Sequence, residues 1–199
     1  MGGAISDAIY GALRKQIITG ELAPGEKLRQ DHIAKSFETS HVPVREAFLR
    51  LEAHGLAVSE PRRGTRVAAL NPSETSEVIE MRIALETLAL RHAVQKCTLA
   101  DAQKADVARR LCDESADMPE WETHNRAFHR MILAPCAMPR LLGTIDDLQA
   151  ASARYLFAHW QSKWTPREDP DHAAIVVAMK RRDAETAVEV LRRHIRRVL

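Results

Sequence analysis

The sequence is poor in aromatic residues and cysteine, and it lacks long apolar runs. Aromatic side chains make up 5% of its 199 residues, and no apolar run approaches the roughly 18 residues of a membrane-spanning helix. Its three cysteines have neither metal-binding spacing nor the even number of a disulfide framework. No signal-peptide pattern is visible. We therefore expect a cytoplasmic protein with free thiols rather than a secreted or membrane protein.

Strong charge of one sign is also missing, since the formal net charge is only +2. Residues 1–70 contain ten Lys and Arg against eight Asp and Glu, and the remaining residues are balanced at nineteen of each. Charge alone does not identify a nucleic-acid-binding protein. Apolar residues amount to 45%, which is enough for a substantial core.

The first 55 residues have the periodicity of three short helices. Helices are predicted over residues 6–19, with Ser6 as N-cap, and over residues 30–37. Pro24-Gly25 favours a type II turn between them. A third helix begins after Ser40, whose side chain can accept a hydrogen bond from a free backbone N–H.

The third helix combines an apolar stripe with polar residues on another face. Its stripe falls at positions i, i+3, i+4 and i+7, which are Val44, Ala47, Phe48 and Leu51. Pro43 is tolerated because N–H groups of the first turn have no intrahelical acceptor. Gly55 ends the helix.

A basic hairpin follows this helix. "LAVSE" and "TRVAAL" predict two short strands joined by "PRRG", with Arg62, Arg63 and Arg66 at or beside the tip. Two short helices across a tight turn, followed by such a wing, predict a winged helix-turn-helix over residues 1–70. Its second helix enters the major groove of DNA.

Residues 71–199 predict a second domain that is entirely helical. Asn71-Pro72-Ser73-Glu74 is a strong helix start, and about five more starts follow with no strand pattern. The expected fold class is therefore mostly α, with an N-terminal winged helix-turn-helix and a C-terminal helical bundle.

Several segments resemble the GntR family of transcription regulators. "GELAPGEKL", "IAKSF", "VPVREAFLRLEAHGL" and "PRRGTRV" occur in the order of that family's DNA-binding domain. The remainder resembles the FCD effector-binding domain of the FadR-like subfamily, through "RIALE", "NRAFHRMI", "DHAAIVVAMKRRDAETA" and "RRHI". The resemblance implies a regulator that binds operator DNA and a small effector.

The resemblance assigns DNA contacts to the start of the third helix and the wing tip. At matching positions these are His41, Arg45, Arg63 and Gly64, with Arg62 as a phosphate contact or a solvated residue. The family usually has Arg in place of His41, so operator preference is expected to differ. The family's turn glycine is Glu38 here, which suggests an altered turn.

Arg45 has a rival interpretation that needs no DNA. It lies beside Glu46 and one to two turns from Glu52, so it can also be a surface ion-pair partner. His41 can equally be a solvated residue at a helix start.

Three histidines lie in three different predicted helices, and spacing alone makes them only a weak metal signal. The resemblance implies that a divalent metal is bound by Asn125, His129, His172 and His194, where the family has Asp in place of Asn125. Imidazole-rich ligation suits zinc or nickel. A metal-free pocket in which these histidines donate hydrogen bonds to an anion is the alternative.

Two arginines are candidates for binding an effector carboxylate. Arg82 lies one turn from Glu86, so it either forms a buried pair with it or clamps the effector bidentately. Arg154 is a weaker candidate.

Together these features predict a dimeric, ligand-responsive regulator that senses a small organic acid and binds double-stranded operator DNA. The resemblance favours a repressor. No enzymatic activity and no membrane are expected. Two alternatives remain: a metal-dependent hydrolytic enzyme, for which no general base accompanies the histidines in sequence, and a metal-free regulator that binds an acyl ligand.

Overall fold

The computed structural model describes residues 2–160 and 163–197, and the chain folds into two compact units. One unit contains Met1–Asn71 and Ala153–Ala158, and the other contains Pro72–Ser152 and His159–Leu199. The described residues form nine α-helices and three short strands, so the predicted mostly α fold class is confirmed. No helix within these residues has the length and hydropathy needed to cross a membrane.

The N-terminal unit consists of three helices and a three-stranded antiparallel sheet. The strand order is β1-β3-β2, with Val58 opposite Arg66 and Lys27 opposite the same Arg66 on the other side. The elements are α1 (Gly2–Thr19), β1 (Lys27–Leu28), α2 (Gln30–Ser36), α3 (His41–Ala53), β2 (Ala57–Glu60) and β3 (Gly64–Val67). The hairpin of β2 and β3 is the predicted wing.

Apolar stripes join these elements into one core. The four predicted residues of α3 are buried, and Val44, Ala47 and Leu51 have no exposed surface. They pack with Ile9, Leu13 and Ile17 of α1 in a single cluster. Burial of each large side chain is worth about 1.5–3 kcal/mol, which holds α3 against its own unit.

Two local predictions for this unit are wrong, and one strand was not predicted. Ser6 lies inside α1, since the helix begins at Gly2. Ser40 occupies the N-cap of α3, but its side chain accepts no capping hydrogen bond. The strand β1 has no sequence signal of its own, because two residues are too few for a period-2 pattern and only pairing with β3 defines them.

The turn between α2 and α3 keeps a glycine-like conformation despite Glu38. The Thr39 N–H donates to the Ala34 carbonyl at 2.9 Å, and the Glu38 N–H donates to the Lys35 carbonyl at 3.2 Å. This is the Schellman pattern that ends many helices, in which the residue after the C-cap is left-handed. Glu38 has φ 48°, so the turn is preserved and the glutamate is strained.

Six helices follow Asn71 in the described part of the chain, and apart from Ala153–Ala158 they belong to the C-terminal unit. Thr98 forms a capping box with Asp101, as its sequence predicts, and Asp169 and Asp183 cap the last two helices. The helices are α4 (Pro72–Lys96), α5 (Leu99–Asp113), α6 (Met118–Leu133), α7 (Pro139–Trp160), α8 (Pro170–Arg181) and α9 (Ala184–Arg196). A short 3₁₀ turn, Ala134–Cys136, follows α6.

The interior of this unit is mainly aliphatic, and it also encloses polar side chains. Ile79, Leu90, Ile132 and Leu191 are among the fully buried apolar residues. The buried polar residues of α4, α6, α7 and α8 include Arg82, Glu86, His129, Gln149, Ser152 and His172. Buried polar groups cost free energy unless they find partners, so this set marks the part of the unit where function is to be sought.

The strain at Glu38 yields a stability prediction. A left-handed non-glycine residue destabilises the folded chain by about 1–2 kcal/mol. Glycine removes this strain, but its greater freedom in the unfolded chain offsets about 0.4–1 kcal/mol of the gain. We expect Glu38→Gly to raise the free energy of urea unfolding by about 0.5–1 kcal/mol. As a matched control, Glu46→Gly within α3 should lower it by about 1 kcal/mol. Equal destabilisation by both variants would contradict the account.

Candidate functional site

The first turns of α3 present polar side chains to solvent opposite its buried stripe. His41 and Arg45 are both exposed and lie one turn apart. The His41 Nε2 lies 3.5 Å from an Asp31 carboxylate oxygen, and Gln30 Nε2 donates to the His41 carbonyl at 3.2 Å. The start of α2 therefore holds the start of α3 in place.

Arg45 has no ion-pair or hydrogen-bonding partner among residues 2–160 and 163–197. Glu52, one of its two candidate partners, accepts a hydrogen bond from the hydroxyl of Ser59 instead. The rival interpretation of Arg45 as a surface ion-pair residue therefore has no support in the structure. Its guanidinium remains available for bidentate hydrogen bonding to a base edge or a phosphate.

The wing tip is exposed and basic. Arg62, Arg63 and Gly64 all face solvent. The Arg63 Nη1 lies 3.4 Å from Glu60 Oε2, a pair in which the arginine side chain is 77% exposed. Such a pair contributes little and leaves Arg63 free to exchange it for another anion. Arg62 and Gly64 have positive φ values of 65° and 80°, which allow the tight turn.

Arg66 differs from the other two wing arginines. Its Nη1 donates to the Gly25 carbonyl at 3.0 Å, which ties the wing to the turn before β1. Gly25 has φ 79°, as a type II turn requires. The Arg66 side chain is therefore held by a hydrogen bond within its own unit, and the exposed cations of the wing are Arg62 and Arg63.

In the C-terminal unit, three imidazoles from three helices converge. His129 of α6, His172 of α8 and His194 of α9 each offer a ring nitrogen, and these nitrogens all lie within 4.8 Å of one another. His172 Nε2 and His194 Nε2 are 3.3 Å apart. Two nitrogens bound to one metal at about 2.0–2.1 Å are roughly 2.8–3.4 Å apart at ordinary angles. The spacing therefore fits shared ligation.

Glu86 fixes the orientation of His129. Its Oε2 lies 2.8 Å from His129 Nδ1, and both residues are fully buried. Burial would raise the pKa of Glu86, but Arg82 and His129 lower it to about 2. An ionised carboxylate only accepts hydrogen bonds, so the proton lies on His129 Nδ1. The lone pair of His129 Nε2 is then free to bind a ligand.

Arg82 holds this glutamate in turn. Its Nε donates to Glu86 Oε1 at 2.7 Å, and its Nη1 donates to Ser152 Oγ at 2.9 Å. The buried Arg82–Glu86 pair, which the sequence left as one of two possibilities, is therefore present. A ligating histidine usually donates its second N–H to such a group, which fixes its tautomer.

Unsatisfied polar atoms show where a ligand fits. Among the described residues, His129 Nε2 and Asn125 Oδ1 are buried and have no hydrogen-bonding partner. They lie one turn apart on α6, with Asn125 half-buried. Burial lowers the pKa of His129, and burial and the neighbouring His194 lower that of His172. Both rings are therefore neutral at pH 7, as metal ligands must be.

A second group of possible ligands, Asp169, Asp171 and His194, lies on the other side of His194. Its carboxylates already have cationic partners. Arg197 approaches Asp169 at 2.7 Å and Asp171 at 3.2 Å, and Arg193 also pairs with Asp171. These guanidinium groups disfavour a cation there, and the three imidazoles form the better metal site.

Arg154 is positioned differently from Arg82. It is buried, and its Nη2 donates to the Ala68 carbonyl at 2.7 Å within the N-terminal unit. This contact gives Arg154 a structural role, and its part in effector binding stays a prediction. The basic residues near the end of α9, including Arg193 and Arg197, pair with the acidic start of α8.

Two carboxylates near the imidazoles were missed by the sequence analysis. Glu86 is recognisable in the sequence only as the i+4 partner of Arg82, because helix packing alone brings it to a histidine 43 positions later. Asp169 is the N-cap of α8, and its Oδ2 lies 3.5 Å from His194 Nδ1. The sequence marks these two residues only weakly: Asp169 as an acidic residue at a helix start, and Glu86 as an acidic residue inside an otherwise apolar helix face.

Two family models match the chain. The model described as "Bacterial regulatory proteins, gntR family" covers residues 5–67, and the FCD domain model covers residues 77–197. The chain belongs to the GntR family and carries an FCD domain. It is a DNA-binding transcription regulator with an effector-binding domain, and the expectation that it is not an enzyme is confirmed by these matches and by its relatives.

Similar GntR proteins are known as transcription regulators. The chain is 29% identical over 205 residues to the HTH-type transcriptional repressor GlaR of Escherichia coli K12, covering 94% of this chain and 90% of that protein. It is 30% identical to the regulator BphR of Paraburkholderia xenovorans, covering 96% and 82%. The structure of E. coli McbR/YncC has the same fold, with TM-score 0.84, 24% identity and coverage of 97% and 94%.

The exposed Arg45 allows a direct test of the DNA interface. Loss of a bidentate base contact costs about 1–3 kcal/mol, so we expect Arg45→Ala to weaken operator binding by tenfold or more. The measurement is a mobility-shift titration on a duplex selected by the wild-type protein from random DNA. Lys15→Ala on α1, an equal change in charge, is the control. Retained affinity in Arg45→Ala with an unchanged circular dichroism spectrum would refute the assignment.

Proposed function

We propose that this GntR regulator is a homodimeric repressor whose FCD domain binds a divalent metal ion, and that a small organic acid controls its hold on operator DNA. The single observation that carries the metal assignment is the convergence of three imidazoles beside unsatisfied buried atoms. His129, His172, His194 and Asn125 are the proposed ligands. Zinc or nickel suits this donor set.

The DNA-binding half of the proposal rests on α3 and the wing. Arg45 and His41 are proposed to reach base edges, while Arg62, Arg63 and the Gly64 backbone contact phosphates. Phosphate contacts position a protein on the duplex and base contacts specify the sequence. A dimer of such units binds palindromic half-sites about one or two helical turns apart.

The charges around the imidazoles support an anionic effector. Three neutral imidazoles and the Asn125 amide leave the charge of a divalent ion uncompensated. Glu86 does not offset it, because Arg82 already neutralises this carboxylate at 2.7 Å. The pocket is then positive overall, and an organic acid whose carboxylate binds beside the ion balances it.

Effector binding changes transcription only if it favours one arrangement of the protein over another. Release of the operator on binding the acid is the proposed direction, in keeping with a repressor. Arg82 is proposed to lie close to the bound acid, since it reaches the glutamate that holds His129.

The alternative within the same family is a metal-free pocket, in which the histidines donate hydrogen bonds to an anion or the domain takes an acyl ligand. His172 Nε2 and His194 Nε2 face each other at 3.3 Å, and in metal-free protein one ring can donate its N–H to the other. The buried His129 Nε2 has no partner among the described residues, and a cation shared with the other two rings would satisfy it, which favours a metal.

A zinc titration distinguishes the proposed metal site from the metal-free alternative. We expect wild-type protein to hold one Zn²⁺ per chain after removal of loosely bound metal. A four-ligand zinc site is worth about 10–16 kcal/mol, so loss of one imidazole in His172→Ala should weaken zinc binding by roughly a hundredfold or more. The measurement is competition with a coloured chelator, with metal content checked by mass spectrometry.

His124→Ala is the matched control, because His124 lies on α6 beside Asn125 but faces Glu120 at 4.0 Å. It should bind zinc as the wild type does. In the same titration Asn125→Asp adds a negative charge and should tighten binding about tenfold or more. Wild-type protein without zinc, or equal binding by His172→Ala, would rule out the metal site and leave the metal-free alternative.

A further inference from the structure

The exposed face of α3 is centred on two apolar side chains. Val42 and Leu49 are 64% and 65% exposed, and in the described part of the N-terminal unit they are the two most exposed large apolar residues. They lie seven residues apart, about two helical turns, so they project in nearly the same direction. Val44 and Leu51, two and nine positions after Val42, project to the opposite side and are fully buried. Val42 therefore lies in the middle of the face that the core leaves free.

Charged side chains flank this apolar line on both sides. Arg45 follows Val42 by one turn on one flank, Glu46 follows it by one turn on the other, and both are exposed. Phosphate groups repel the Glu46 carboxylate and gain nothing from an aliphatic side chain. The middle of the face is therefore suited to the floor of a DNA groove, where the bases are read, rather than to the phosphates at its rims.

The floor of the major groove offers such a side chain one methyl group, at C5 of thymine, among base edges that otherwise present hydrogen-bond donors and acceptors. A valine placed over those polar atoms displaces their water and gives them no partner, which costs free energy. Placed over the methyl group, it removes apolar surface of both molecules from water. Residues at the start of the recognition helix reach the base edges, which favours Val42 over Leu49 for this contact.

We propose that Val42 recognises the methyl group of a thymine in each operator half-site. This inference rests on the proposed function, because α3 must enter the major groove, and it adds a specificity-determining residue to His41 and Arg45. One helical turn rises about 5.4 Å, and base pairs follow one another at about 3.4 Å along the duplex. The thymine therefore lies within about two base pairs of the base that Arg45 contacts.

The competing interpretation is an exposed valine without a partner, since single apolar residues occur on the surfaces of most proteins. The two interpretations differ in what they predict for DNA binding. A valine that stays in solvent is indifferent to the thymine methyl group, whereas direct contact makes the affinity depend on the methyl group and on Val42 together.

The test removes the methyl group from the DNA and the valine from the protein in turn. The starting duplex is one that the wild-type full-length protein selects from random DNA, and its thymines are replaced one at a time by deoxyuridine, which lacks only the methyl group. Dissociation constants are measured by fluorescence anisotropy for the wild type, Val42→Ala and Val42→Ser. Leu49→Ala is the matched control, because Leu49 has the same exposure on the same face and lies two turns later.

We expect one thymine of a half-site at which deoxyuridine weakens wild-type binding by about fourfold, the change that corresponds to one buried methyl group. At that position Val42→Ala and Val42→Ser should bind both duplexes with affinities within about 1.5-fold of each other, because the two groups are coupled only if they touch. Leu49→Ala should discriminate as the wild type does. Val42 is exposed and alanine favours helices, so Val42→Ala should unfold at the wild-type temperature or above.

Undiminished dependence on the methyl group in both Val42 variants overturns the proposal, as does wild-type protein that is indifferent to deoxyuridine at every thymine. Discrimination that is lost in Leu49→Ala and kept in the Val42 variants assigns the methyl group to Leu49 and overturns it equally. Arg45→Ala on the same duplex keeps the proposed DNA interface separate. Its retained affinity contradicts the interface itself, whereas its weakened binding beside an uncoupled Val42 overturns only the thymine contact.

Discussion

The buried hydrogen bond between Glu86 and His129 is the interaction on which the FCD domain's site depends. It joins α4 to α6 at 2.8 Å between two buried side chains. Arg82 keeps Glu86 ionised, and the ionised carboxylate keeps the proton of His129 on Nδ1, the nitrogen that faces Glu86. The Nε2 atom of His129 is thereby presented to His172 and His194. Removing one member would leave an uncompensated charge in the interior, which is expensive.

In the DNA-binding unit, by contrast, the candidate site lies at the surface. Its core is apolar, and the residues proposed to contact DNA lie at the surface on short elements: the first two turns of α3 and the β2–β3 turn. Arg45 is exposed and has no partner within the part of the chain that the structure describes, which suits a residue whose partner lies on another molecule. The strained Glu38 shows that the geometry of the turn between α2 and α3 is maintained even without glycine, since it sets where α3 begins.

Local patterns in the sequence predict most of the helices. The stripe of α3 and the cap at Thr98 depend on neighbours within one or two turns, and each is present in the structure. The missed features depend on distant residues. The strand β1 exists only through pairing with β3, and the role of Glu86 only through packing against α6. The proposed metal ligands came from family resemblance, because three histidines in separate helices carry no local pattern.

The most direct test of this account is the tautomeric state of His129 in metal-free protein, measured by long-range ¹H–¹⁵N NMR on histidine-labelled samples. The account predicts a neutral ring with its proton on Nδ1, and a change in the Nε2 signal when Zn²⁺ is added. A proton on Nε2, or an Nε2 signal unaffected by zinc, would contradict the claim that Glu86 presents this nitrogen to a metal ion.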